Sequence, residues 1–322
     1  MDFQLSDDQR ALRSGMRDLL GAAFDRDGLR AAVERGGGVD RGLWRELGAA
    51  GFFALRLPEE SGGVGLGLPE AVLLFEEAGR ALLPGPLVAT HLAAGVVKGA
   101  AEGEAVVTAS QGGGLPVADL RGADAVLVAG GVLTGEELAA FVAGARPVRS
   151  MDPLTPLHRA EGLVAAAEAY PGALRGEGAL LTAAEQLGSA ARTTEMAVQH
   201  ARTREQFGSL IGSFQAVKHL CADMLARTEP ARGAVYAAAV TGDPVEIAAA
   251  KLLADDAAVR NARDCLQIHG GMGFTWEADV HLHLKRAWLR AARWLSAAEA
   301  EEILAAGLGP VRPLYGGSAA LG

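Results

Sequence analysis

The chain has 322 residues, 50% of them hydrophobic, with 30 Lys and Arg against 39 Asp and Glu, a formal charge of −9. Such a length can bury a large core and holds two or three domains. The acidic balance excludes a general nucleic-acid binder, which needs a basic surface against phosphates, but leaves room for a small anionic ligand at a local basic site.

Ser6 and Gln9 read as a capping box, with Phe3 and Leu5 placed to staple the helix entry. The acidic start lacks the basic and apolar blocks of a signal peptide. Apolar residues recurring at three and four predict helices near 6–24, 40–50 and 69–82, with Trp44, Leu47, Val72 and Phe75 facing a core. The stretch Pro58–Gly67 between the last two is a glycine-rich loop without phosphate-binding spacing. Short β-like runs at Ala105–Ala109, Ala125–Ala129 and Val132–Thr134 predict a small, mostly β module over 104–170.

From about 178 the pattern is helical: Ala179–Arg202, Phe214–Thr228, an interruption at Pro230, Ala231–Thr241, Pro244–Ile268 and a last helix over 277–306. No apolar run reaches the roughly 18 to 20 residues of a membrane span. Cys221 and Cys265 lie in helical apolar patterns, as buried thiols of a cytoplasmic protein do. The expected fold is mainly α with a small β module. Its parts are an N-terminal helical domain (1–103), a reduced middle β-domain (104–175), a C-terminal helical bundle (176–308) and a loose tail (309–322).

Two segments carry candidate chemistry. Arg204 ends a helix and could fork onto a diphosphate, Phe207 could lie on a flat ring, and Gln215 opens a helix whose first N–H groups are free for phosphate. The plainer reading of Arg204 is a solvated or capping side chain. Gln267 precedes Gly270 and Gly271, whose bare backbone admits close approach; the plainer reading is a helix stop. His269, His281 and His283 lack the spacing of a zinc site, so no metal is expected.

Together these segments resemble the C-terminal domain of acyl-CoA dehydrogenases. The matching stretches are Arg204–Gly208, Ile211–Gln215 with His219 and Ala222–Met224, and Gln267–Phe274. The N-terminus is similar too, through Phe3, Leu5, Ser6 and Gln9, Trp44 with Leu47, and Pro58–Gly63. The resemblance implies a helical N-terminal domain, a middle β-domain and a C-terminal four-helix bundle, assembled as tetramers with FAD at a subunit interface. It implies that Arg204, Phe207 and Gln215 contact the diphosphate and adenosine of a neighbour's FAD, with Gln267, Gly270 and Gly271 contributing from the same side.

The sequence departs from that family at the catalytic base. The resemblance places a glutamate either a little over twenty residues after the glycine pair or at the start of the helix ending near Arg204. The first position falls on Trp294, the second on Gly178 or Ala179. Glu177 is adjacent to the second and is the one candidate base. One residue, however, turns a side chain about 100° around a helix. The middle domain also lacks the family's strand-and-loop motif over the flavin ring.

The chain resembles the shorter subunit of actinobacterial α2β2 steroid side-chain dehydrogenases, whose partner chain carries the glutamate. On that reading it is an FAD-supporting, non-catalytic subunit acting on an acyl-CoA. Two other readings stay open: a complete homomeric dehydrogenase using Glu177, and a flavin-free structural homologue.

Overall fold

The computed structural model describes residues 4–112, 114–160 and 172–308. Phe3 and the tail from 309 lie outside the described residues.

The N-terminal part is helical: α1 (Asp7–Ala23), α2 (Arg26–Glu34), α3 (Arg41–Ala49), α4 (Leu68–Arg80) and α5 (Leu87–Ala93). Ser6 caps α1 as its sequence predicts: its hydroxyl accepts from the Gln9 N–H at 3.1 Å, and the Gln9 side chain accepts from the Ser6 N–H at 3.1 Å. The Gln9 amide also donates to Glu70 on α4 at 2.8 Å, so the cap orients one helix against another. Helices α2 and α5 are additions to the expected pattern; α2 is short and is started by Asp25, which accepts from the Gly28 N–H.

The β module holds β1 (Val107–Ala109), β2 (Val117–Ala118), β3 (Ala125–Val128), β4 (Gly131–Leu133), helix α6 (Gly135–Ala143), β5 (Ala145–Val148) and β6 (Leu157–Ala160). One sheet runs β1-β3-β4, with β1 parallel to β3 and Val126 opposite Leu133 in the antiparallel β3–β4 pair. The other runs β2-β6-β5, all antiparallel. Helix α6 is an addition within the expected small, mostly β module. Its Phe141 fills a small core with Val117, Leu120 and Val126.

The bundle consists of α7 (Gly172–Thr203), a hairpin of β7 (Glu205–Gln206) and β8 (Ser209–Leu210), then α8 (Gln215–Thr241), α9 (Pro244–His269), α10 (Val280–Ala291) and α11 (Ala297–Gly307). Helix α7 packs along α4, α8 and α9. Two glycines set the closeness of α4 and α7. A Cβ at Gly188 would stand 1.8 Å from the Glu76 carbonyl, and one at Gly79 2.0 Å from that of Glu185.

Two helix boundaries differ from the sequence expectation. Helix α8 runs straight through Pro230. A mid-helix proline costs about 3 kcal/mol. Burial outweighs this, because Met224 and Thr228 before it and Ala231, Val235 and Ala238 after it all point into the bundle. Fully buried Asn261 of α9 also donates to the Met224 carbonyl at 3.0 Å and to Thr228 Oγ1 at 2.9 Å, within the two turns before the proline. The expected helix over 277–306 is two helices, α10 and α11. The chain breaks between them with Trp294 at φ 62°, and Ser296 starts α11 in a capping box with Glu299.

Two histidines are locked inside this core. Burial pushes His91 down to about 4 and His283 down to about 3, with His91 Nδ1 3.1 Å from the Phe52 carbonyl and His283 Nδ1 2.7 Å from Ser189 Oγ. Both folded values lie below the ordinary 6.5, so the unfolded chain binds more protons under that pH. Stability is therefore complete above 6.5 and falls as the pH drops towards 4. Each histidine contributes a slope of up to about 1.4 kcal/mol per pH unit. Thermal melting across that window should show the decline, and a smaller one in His283→Gln; an unchanged midpoint would refute it.

Candidate functional site

The first motif is built at the end of α7. The chain leaves the helix at Thr203 and turns back through the β7–β8 hairpin, whose two-residue loop is Phe207 and Gly208. Both have positive φ, 54° and 73°, as a tight hairpin turn with right-handed strand twist demands. Glycine adopts that conformation freely. Phe207 does so at about 1–2 kcal/mol, and its ring projects into solvent, 94% exposed. The Arg204 carbonyl accepts the Ile211 N–H at 2.8 Å, which fixes the backbone, while the Arg204 side chain is exposed and makes no ion pair among the described residues. Gln215 is the first residue of α8, and no side chain caps that N-terminus.

The second motif ends α9. Gln267 is exposed on its last turn, and Gly270 stops the helix at φ 59°, ψ −143°, a conformation close to glycine-only territory. A Cβ on Gly270 or Gly271 would meet nothing within 4 Å, so both open onto free space. The two motifs are tied together beneath. Ala201 and Ile211 from the first share a buried cluster with Cys265, Leu266 and Ile268 from the second. His200 stacks on His269 with ring centroids 4.1 Å apart. Burial and then the neighbouring His269 and Arg204 hold His200 below its usual range.

The three histidines His269, His281 and His283 diverge. His269 lies against His200, His281 packs edge-on to Trp276, and His283 is bonded to Ser189. Cys265 is buried and its thiol is pushed up to about 12 by that burial, which leaves it protonated and inert.

Glu177 sits on α7, more than a turn from its start at Gly172. Both of its oxygens are taken by Arg56, at 2.7 and 3.1 Å. Its neighbour Gly178 lies directly under Trp294: a Cβ at 178 would be 2.3 Å from indole Cδ2. The two positions where the family resemblance puts a base, far apart in sequence, are thus in contact and filled by a ring on a glycine. Trp294 is held there by its own backbone, whose N–H donates to Gln111 at 2.8 Å and whose carbonyl accepts from Arg175 Nε at 2.7 Å. The pairing of 178 with 294 is a tertiary fact that no local pattern announces.

Models of the acyl-CoA dehydrogenase N-terminal and C-terminal domains match residues 6–102 and 175–300. The acyl-CoA dehydrogenase IpdE2 of Mycobacterium tuberculosis is 36% identical over 296 residues, covering 87% of this chain and 91% of IpdE2. The chain belongs to the acyl-CoA dehydrogenase family.

The fold matches solved members of similar architecture. One chain of the ChsE4–ChsE5 complex from M. tuberculosis is 24% identical with a TM-score of 0.78, covering 97% of this chain and 100% of that one. One chain of the steroid ACAD Tcur3481–Tcur3483 is likewise 24% identical with a TM-score of 0.78, covering 94% and 99%. FAD is the cofactor that goes with this acyl-CoA dehydrogenase. Its diphosphate suits what the two motifs present: an uncommitted guanidinium, an uncapped helix N-terminus and unobstructed glycine backbone. Among the described residues no helix is long and apolar enough to cross a membrane.

Proposed function

We propose that this chain is the FAD-supporting, non-catalytic subunit of a heteromeric acyl-CoA dehydrogenase that forms an α,β-unsaturated acyl-CoA. The observation that carries this reading is the Trp294 ring lying on Gly178. Removing an α-proton needs a carboxylate facing the α-carbon within hydrogen-bond reach. Resemblance puts that carboxylate at one of these two positions. Here one is an indole and the other a glycine, and the indole occupies the space a side chain at 178 would need. Glu177 is committed to Arg56.

Arg204, Gln215, Gln267 and the two glycines would hold the diphosphate and adenosine half of FAD, with Phe207 against its flat ring system. When bound, FAD supplies a hydride acceptor for the β-carbon. A second acyl-CoA dehydrogenase chain would bring the glutamate and the flavin-ring side of the site, in an α2β2 assembly. Support comes from ChsE4–ChsE5 and Tcur3481–Tcur3483, which are two-chain complexes by name; the second is a steroid ACAD, and a steroid side-chain CoA is the proposed substrate here. Exposed Phe207, Phe274 and Trp276 beside the motifs form apolar surface that suits a covering subunit.

The test is to purify the chain alone and after co-expression with candidate partner acyl-CoA dehydrogenase chains of the same organism. Flavin absorbance and acyl-CoA dehydrogenation are then recorded for each. Flavin and turnover are expected from the pair and no turnover from the chain alone. Turnover by the chain alone, abolished in Glu177→Gln, would establish a complete homomeric enzyme instead. A colourless protein in both preparations would establish a flavin-free scaffold.

A further inference from the structure

Helix α2 carries Arg26 and Arg30 one turn apart on one face. Leu29 and Ala32 of the same helix are buried in the core, so α2 is a fixed base for both. The two guanidiniums reach a turn far along the chain, residues 275–279, which joins the second motif to α10. Arg26 donates through Nη2 to the Glu277 carbonyl at 2.9 Å and through Nε to Asp279 Oδ2 at 2.7 Å. Arg30 donates through Nη1 to the Trp276 carbonyl and ion-pairs through Nη2 with Asp279 Oδ1. The Arg30 and Asp279 side chains are largely shielded from water, 22% and 16% exposed.

Asp279 shows what these contacts displace. It stands at the N-cap of α10, where an aspartate ordinarily accepts from the first backbone N–H groups of its own helix. Here its side chain makes no such bond, and its two oxygens go one to each arginine. A favoured local bond gives way to a long-range one.

The segment before this turn has few other holds. Gly270, Gly271 and Gly273 leave the backbone a wide choice of conformations. Its large side chains stay out of the core, with Met272, Phe274 and Trp276 50, 78 and 62% exposed. Gly273 lies against α9, where a Cβ would stand 3.0 Å from the Leu266 carbonyl, and the Trp276 ring rests on Lys285 and His281 of α10. Thr275 ties the turn to the glycines: its N–H and its hydroxyl both donate to the Met272 carbonyl, at 3.0 and 2.8 Å. A shift of the backbone at 276–279 is thereby passed to the residue after Gly271.

We propose that Arg26 and Arg30 are positioning residues for the diphosphate and adenosine half of FAD: by clamping the 275–279 turn onto α2 they hold the Gly270–Gly271 backbone ready to receive it. The inference rests on the proposed role of the glycine pair in holding FAD. Neither arginine has to touch the cofactor. A segment fixed before binding loses less conformational freedom when the ligand arrives, so the clamp acts through affinity.

Hydrogen exchange of the chain alone and FAD titration of the deflavinated co-purified complex test this together. Arg30→Ala should speed amide exchange over 272–279 and leave 200–211, in the first motif, unchanged. It should weaken FAD about tenfold, and Arg26→Ala about threefold. Arg30→Lys should recover part of the loss, because it keeps the charge but not the fork. Unchanged exchange over 272–279 overturns the proposal. So does faster exchange throughout the chain with FAD affinity intact, which is what a merely structural contact would give. The Arg26 side chain is 64% exposed, so Arg26→Ala decides the matter where Arg30→Ala does not fold. Gly271→Val separates the two possible failures, since its side chain would enter open space in the chain itself. If Gly271→Val weakens FAD and the arginine variants do not, the clamp alone is refuted. If Gly271→Val leaves FAD in place, the role of the glycine pair is refuted and the clamp with it.

Discussion

Arg204→Ala is expected to strip FAD from the assembled enzyme while leaving the chain folded. The side chain is exposed and makes no ion pair among the described residues, so its loss disturbs no packing. On the proposed reading it removes a planar fork of charge-assisted donors for the FAD diphosphate. Hydrogen bonds to charged groups contribute about 1.5–3 kcal/mol each. One or two of them correspond to a hold weaker by about tenfold to about ten-thousandfold, at about 1.4 kcal/mol per decade. Arg204→Lys should fall between, because an ammonium keeps the charge but not the fork. The measurement is the flavin-to-protein absorbance ratio of the co-purified complex after gel filtration, with thermal melting as the folding control. Full flavin retention in Arg204→Ala would falsify the assignment of the first motif.

The parts of this site that could be read from sequence are those whose geometry is local. Arg204, Phe207, Gly208 and Gln215 lie within twelve consecutive residues, and the hairpin that joins them is specified by its own two-residue loop. The Ser6–Gln9 box is local in the same way. The signal for the break before α11 was also local, Ser296 with Glu299 three residues on, but the apolar residues Trp294 and Leu295 continue the helical pattern across it and mask it. Pro230 misleads for the opposite reason. Its local cost is real, and the bundle packed on both sides of it decides otherwise. The surroundings of Arg286, Arg290 and Arg293, on α10 and just beyond it, are farther from legibility. The spacing of Arg286, Arg290 and Arg293 is visible, yet their carboxyl neighbours Asp119, Asp152 and Glu185 come from the β module and α7. A surface reading of three solvated arginines would fit the sequence equally well.

The contact between Trp294 and Gly178 leads to the second large effect, on stability and not on turnover. Trp294→Ala removes an indole that is 6% exposed and should cost about 3–5 kcal/mol through lost burial and the space left behind. Gly178→Ala alone adds a methyl 2.3 Å from indole Cδ2 and should cost about 1–3 kcal/mol, because the ring or α7 must move. Paired, the changes relieve each other: the methyl enters space the ring has vacated. Gly178→Ala then also delivers the gain of about 1 kcal/mol that alanine has over glycine inside a helix. The double variant should therefore be more stable than Trp294→Ala alone, with a coupling of about 2–4 kcal/mol in a denaturant double-mutant cycle. Strict additivity would mean that the ring does not rest on Gly178 in solution, and the principal support for a non-catalytic subunit would go with it. If the ring does rest there, turnover of the assembled enzyme below its melting range should be unaffected by either change, since on the proposed reading the reacting atoms lie against the partner chain.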